Sequence, residues 1–301
     1  MKFSRFAATV AASTIAATSL VACSTESGSS VSGTNAPGEG NDTVTVKIGT
    51  TDADQQAWTA FEEKAEEEGI KLDIVRFSEY PPVNPALDED QIEISKFQTI
   101  NYQAQYNASA GKDLRIIGSG EINILGLYWK DHDSLDGIEG EEVAVPNDPS
   151  NQGRAINVLV QADLVTLKPG APTLTPTPAD IDEAASKVSV VAIDASQTPS
   201  AYNEGRPAVI NNNWLSRAGI DPASAVAADD PNSELAEPYI NVFTVKADQV
   251  DNEIFEKLVE VWHSDEVTEA LNQDSGGTAV QVKRDKQELN EILDRLVEEY
   301  K

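Results

Sequence analysis

The chain has 301 residues, with 22 Lys+Arg against 51 Asp+Glu and a formal charge of −29. That balance excludes a nucleic-acid binder and a polybasic membrane-surface binder, both of which need a cationic face, and 40% hydrophobic residues exclude a chain disordered throughout. One cysteine and two histidines (His132 and His263) exclude an intrachain disulfide and a Cys-rich metal centre, so no metal and no cofactor is expected.

Residues 1–22 read as a signal peptide. Lys2 and Arg5 supply a short basic start, and residues 6–22 follow without a charge, too short and too rich in Ala, Ser and Thr for a spanning helix. The run ends Leu20-Val21-Ala22-Cys23, which resembles the bacterial lipobox. Cys23 is therefore expected to become the first mature residue and to carry lipid, holding the protein at the extracytoplasmic face of the cell membrane. Residues 24–43 are mostly Ser, Gly, Thr, Asn, Asp and Glu and have nothing to bury. With Cys23 they are expected to form a flexible tether spanning roughly 25 Å.

The body then alternates strands with helices. Residues 44–48 (VTVKI) alternate with period two and predict a strand. Residues 54–69 place Ala57, Trp58, Phe61 and Ala65 at helical spacing, with glutamates on the other positions as a solvated face and Gly69 as the stop. Residues 71–75 give a second strand, so this β-α-β unit predicts a right-handed crossover and a parallel pair. Further strands are predicted at 91–94, 114–117, 143–145, 188–193, 208–210 and 239–245. Helices are predicted at 97–109, 151–164, 178–185, 252–263 and 267–272. Residues 284–301 carry Leu289, Ile292, Leu293, Leu296, Val297 and Tyr300 on one helical stripe, which predicts an amphipathic helix packed on the body. Alternation of this kind defines an α/β protein with mostly parallel sheets.

The usual catalytic sets are missing: there is no GxxxxGK[ST], no GxSxG and no HExxH. The pairs Glu141-Glu142 and Asp229-Asp230 are what a chain this acidic produces by chance, and Glu237 before Pro238 reads as extended. Residues 143–154 (VAVPNDPSNQGR) are more informative. A strand runs through a turn into a helix, with Asn147 or Asp148 as the cap and Pro149 in the first turn. Arg154 close to the free N–H groups of that helix start suggests a site for a small anion such as a carboxylate, or else an arginine paired with one of the many carboxylates. Phe97 and Tyr102 fall at a strand-to-helix junction, the edge at which open α/β folds bind ligands, or else serve ordinary core packing. Asn211, beside Asn212, Asn213 and Trp214, and Asn241, within PYINV, put amides at strand ends, where an amino acid would satisfy them.

On these motifs, together with residues 97–102 (FQTINY), 84–87 (NPAL) and 209–211 (VIN), the chain resembles the methionine-binding lipoprotein family, the solute receptors of methionine ABC importers. The resemblance spans about residues 44–280. It implies a two-lobed periplasmic-binding-protein-like fold with mixed, mostly parallel sheets and a ligand cleft between the lobes. Lobe 1 is expected over 44–124 plus 243–301, and lobe 2 over 125–242. The resemblance further implies that Arg154 pairs with the ligand carboxylate, that Asn211 and Asn241 hold the α-carboxylate and α-amino groups, and that Tyr80, Phe97 and Tyr102 enclose a thioether. Thr99 stands in that side-chain pocket where the family has a histidine. The implied function is binding of methionine or a close relative and its delivery to a membrane permease driven by a separate ATPase, with no enzymatic step. The rival readings are a lipid-anchored surface hydrolase built on a carboxylate pair and a structural or adhesive lipoprotein.

Overall fold

The computed structural model describes residues 43–301. The expected signal peptide, Cys23 and nearly all of the tether lie outside the described residues. In chain order the strands and helices are β1 (Val44–Thr50), α1 (Gln56–Glu67), β2 (Ile70–Arg76), α2 (Val83–Asp88), β3 (Ile94–Thr99), α3 (Ile100–Ala110), β4 (Leu114–Ser119), β5 (Glu121–Ile122), β6 (Gly126–Tyr128), β7 (Glu142–Pro146) and α4 (Pro149–Gln161). There follow β8 (Ser189–Ile193), α5 (Thr198–Asn203), β9 (Ala208–Ile210), α6 (Asn212–Ala218), β10 (Ala227–Ala228), β11 (Asn241–Lys246), α7 (Glu253–Trp262), α8 (Asp265–Asp274), β12 (Val280–Gln281) and α9 (Lys286–Glu299).

The strands form two five-stranded sheets, ordered β2-β1-β3-β11-β4 and β10-β6-β9-β7-β8, with β5 and β12 paired separately. Within each sheet four strands share one direction and a single strand is reversed, β11 in the first and β6 in the second. Both reversed strands are the first that the chain lays down after passing from one sheet to the other. The chain therefore leaves the first sheet after β4 and returns to its interior as β11, next to the strand it left.

Local chemistry explains most of these elements. In α1 the spaced apolar residues Ala57, Trp58, Phe61 and Ala65 are all buried. Trp58 and Phe61 meet Trp262 and Phe243 edge-on or tilted at 5.1–6.2 Å, a cluster that locks α1 and α7 onto one face of the first sheet. Asp148 caps α4 by accepting from the Asn151 N–H at 2.9 Å, and Pro149 fills the first helical position. Gly153 is needed for packing: a Cβ there would lie 2.4 Å from the Leu174 carbonyl oxygen. On the other face of the first sheet, α9 buries Leu289, Ile292, Leu293 and Leu296 against Ile100, Ala104, Ile116 and Val242. The Asn290 amide also holds both backbone groups of Ile116 on the edge strand β4, accepting from its N–H at 3.1 Å and donating to its carbonyl at 2.8 Å. That contact closes an edge that would otherwise offer unpaired groups to another chain.

Four expectations are corrected. The strand expected at 91–94 is β3 at Ile94–Thr99, and the helix begins at Ile100, so Phe97 lies in the strand. β3 is central and covered on both faces, so Ser95, Lys96 and Gln98 are as buried as Ile94 and Phe97 and no alternation marks it. The helix expected at 178–185 is one 3₁₀ turn, Pro178–Asp180, after which Ile181 turns away to bridge Leu167. The strand expected at 239–245 starts at Asn241, and Glu237 and Pro238 lie in a 3₁₀ segment, Glu234–Tyr239, rather than in extended chain. Finally, the N–H groups at the start of α4 do not make the anion site, because Asp148 already occupies that end.

Candidate ligand-binding site

The sheets meet along a cleft. From the first sheet's side, β3 ends at Phe97, Gln98 and Thr99, and the Thr99 hydroxyl caps α3 by accepting from the Tyr102 N–H at 3.3 Å. That cap turns Tyr102 back over Phe97, with ring centroids 5.8 Å apart. Tyr80, beyond β2, completes a triangle of rings at 6.1 Å from Phe97 and 5.8 Å from Tyr102. Asn241 opens β11 beside them. From the second sheet's side come Asn151 and Arg154 on α4, and Asn211, Asn212 and Asn213 at the junction of β9 and α6. Asn123 and Ile124, in the first crossing between sheets, complete the wall. All of these residues line one cavity. The structure thus gathers Tyr80, Phe97, Thr99, Tyr102, Arg154, Asn211 and Asn241 around a single space.

Arg154 is 5% exposed and tightly held. Its Nε donates to Asp229 at 2.6 Å, its Nη2 donates to the Asn123 carbonyl at 2.7 Å, and the guanidinium lies 4.4 Å from the centre of the Tyr239 ring. Arg154 therefore does have a carboxylate partner, the alternative left open by the sequence, and still lines the cavity. Asp229 is fixed in turn by the Leu125 N–H at 2.8 Å, so both its oxygens are engaged. Among the described residues Nη1 of Arg154 has no hydrogen-bond partner. The Asn211 amide donates to Asn151 at 2.9 Å, and its Oδ1 is buried without a donor. A buried acceptor left unpaired costs on the order of 1–3 kcal/mol, unless a ligand supplies the donor.

Burial sets the charge states nearby. It raises the Tyr80 and Tyr102 phenols well above their ordinary value, so both rings are neutral walls. Tyr239 is pushed up to about 12, chiefly by burial, against the pull of Arg154. Asp148 is raised by burial, despite the bonds that Asn151 makes to it. Behind the aromatic wall Asp52 is raised for the same reason, and it accepts from Trp58 Nε1 at 2.7 Å and Asn213 Nδ2 at 3.2 Å.

Polar contacts also cross the cleft. Asn213 accepts from the Tyr80 hydroxyl at 3.1 Å and donates to Thr51 Oγ1 at 3.2 Å. Arg217 donates to the Thr51 carbonyl at 2.7 Å and to Asp54 at 3.0 Å. Under the cavity Asn101 of α3 donates to Ser150 of α4 at 3.0 Å. Asn123, Asn151 and Asp229 went unassigned in the sequence. Asn151 lies inside the 143–154 motif and was in principle legible there, whereas Asn123 lies in a crossing with no local pattern.

Two α/β lobes facing a buried cavity, lined by an arginine, several amides and three aromatic rings, define the class of two-lobed solute-binding proteins. The NlpA lipoprotein family profile matches residues 46–283. The D-methionine-binding lipoprotein MetQ of Salmonella typhi is 34% identical over 241 residues, covering 78% of this chain and 87% of its own. Among solved structures, a Staphylococcus aureus protein superposes with a TM-score of 0.78 at 32% identity, over 83% of this chain and 99% of its own. A nutrient-binding protein from Burkholderia cenocepacia, solved bound to methionine, gives 0.72 at 31% identity, over 78% and 99%. The chain belongs to the NlpA lipoprotein family.

Proposed function

We propose that this protein captures methionine, or a close thioether relative, between its lobes and delivers it to a membrane permease driven by a separate ATPase. Lobe 1 is read as residues 44–124 plus 243–301 and lobe 2 as 125–242, with anchoring through lipid on Cys23. The observation that carries the reading is one cavity lined both by Arg154, whose Nη1 has no partner among the described residues, and by Asn211, whose carbonyl is unsatisfied. The first complements an α-carboxylate and the second an α-ammonium, with Asn241 beside them. Tyr80, Phe97 and Tyr102 provide an apolar end where sulfur–aromatic contacts are worth roughly 0.3–1.5 kcal/mol each. Relatives named for D-methionine binding, and one solved with methionine bound, support the same choice of ligand.

Thermal unfolding with and without L- and D-methionine tests the proposal. Ligand at a hundredfold its dissociation constant is expected to add about 2.7 kcal/mol to stability. Arg154→Ala is expected to abolish the heat of methionine binding in calorimetry while circular dichroism shows the fold intact. Unchanged affinity in that variant would remove Arg154 from the site, and no stabilisation by either enantiomer would remove methionine.

A further inference from the structure

Helix α9 begins after residue 283, the last residue of the family match. Its apolar stripe packs on α3 and β4, but its far end does something that packing does not require. Tyr300, just past the helix, donates its hydroxyl to Asn101 Oδ1 at 2.9 Å. The other end of the same amide donates to Ser150 Oγ at 3.0 Å. Asn101 and Ser150 are fully buried. Ser150 lies in the first turn of α4, one turn before Arg154, and Asn101 precedes Tyr102. The amide therefore joins the helix that carries Tyr102 of the aromatic wall to the helix that carries the guanidinium, and Tyr300 fixes which way it faces. Tyr300 and Leu174 both pack against the apolar cluster that α9 buries, and the Leu174 carbonyl lies against Gly153 of α4. A third hold is electrostatic: Arg284 and Arg295 donate to Glu237, in the segment by which the chain returns between the sheets.

We propose that Tyr300 is a positioning residue for ligand retention, and that α9 acts as a strap bracing the Asn101–Ser150 contact and so slowing opening of the cleft. The inference rests on the methionine-binding reading. Losing one hydroxyl from a buried, doubly used amide is expected to speed ligand release about three- to tenfold.

The test compares full-length wild-type protein with Tyr300→Phe, Ser150→Ala and the double variant. Bound L-methionine is displaced by excess competitor, and the release rate is followed by tryptophan fluorescence. Tyr300→Phe keeps the ring and its packing but leaves Asn101 Oδ1 without its donor, so the thermal midpoint of the free protein is expected to fall modestly while the fold persists and release accelerates. Ser150→Ala is expected to accelerate release similarly, and the double variant by little more than either single one, because both act through Asn101. An unchanged release rate in Tyr300→Phe, or single effects that multiply in the double variant, overturns the strap. Wild-type protein that takes up no methionine would sink the ligand reading instead. The strap then stands or falls on small-angle scattering of the free protein, where Tyr300→Phe must increase the radius of gyration.

Discussion

At the scale of single residues, the most consequential group outside the cavity is the buried pair Lys96–Glu121. The Nζ–Oε1 distance is 2.6 Å, each side chain is 2% exposed, and the ammonium sits 4.3 Å from the centre of the Trp262 ring. Glu121 also accepts from Asn123, the residue whose carbonyl holds Arg154, so the pair anchors the first crossing to the first sheet. Removing one partner leaves an uncompensated buried charge. Lys96→Met is expected to lower unfolding stability by about 3–5 kcal/mol in urea, and Lys96→Met with Glu121→Leu to recover most of that loss. At the site, Asn211→Ala is expected to weaken methionine binding roughly ten- to hundredfold by calorimetry, since it removes the acceptor facing a charged donor. Legibility at this scale was uneven. Arg154 and Asn211 were readable because motif residues put them at strand–helix junctions. Asp229 was not, because an acidic pair in a chain with 51 acidic residues carries no signal of its own. Lys96 reads as a surface residue until the strand around it is known to be covered on both faces.

At the scale of elements, helices with a one-sided apolar stripe were recoverable from spacing alone, as α1, α4, α7 and α9 show. The stripe is what the sheet buries, so the pattern and the cause coincide. β3 escaped because a strand buried on both faces needs no alternation and tolerates polar residues wherever partners exist: Gln98 and Asn84 exchange amide bonds at 2.7 and 2.9 Å. The short elements α2, α5 and α6 gave too few residues for periodicity to register. For α9 the packing makes a definite prediction. Leu293 is fully buried between α3 and the first sheet, so Leu293→Ala is expected to cost about 2–5 kcal/mol in a urea titration.

For the whole molecule the dominant fact is charge. A surplus of 29 negative charges makes the folded body repel itself, and salt screens that repulsion. The thermal midpoint is therefore expected to rise when salt is raised from about 0.01 to about 1 M. The pH dependence has a definite sign. Asp52 and Asp148 are raised by burial, so they take up protons more readily folded than unfolded, and acidification from neutral stabilises the fold as they protonate. His263, lowered by burial, works the other way, since it must gain its charge in the unfolded state first. The relief of repulsion acts in the same direction as the two carboxylates, so the midpoint is expected to rise as the pH is lowered from neutral. It should fall again below about pH 4. There Glu237 loses the ion pairs with Arg295 and Arg284, which hold its carboxyl low against the upward push of burial, and the lowered Asp180 and Glu266 follow.

The path of the chain also decides how a sensor could be made from this protein. Residue 44 opens β1 and α9 closes the chain, and both pack on the first sheet. Dyes attached at residue 44 and on α9 would ride on the same sheet and are expected to report almost no change in energy transfer on adding methionine. A pair with one dye at the exposed Ser200 of α5, on the far side of the cleft, and the other on α9 would span the cleft.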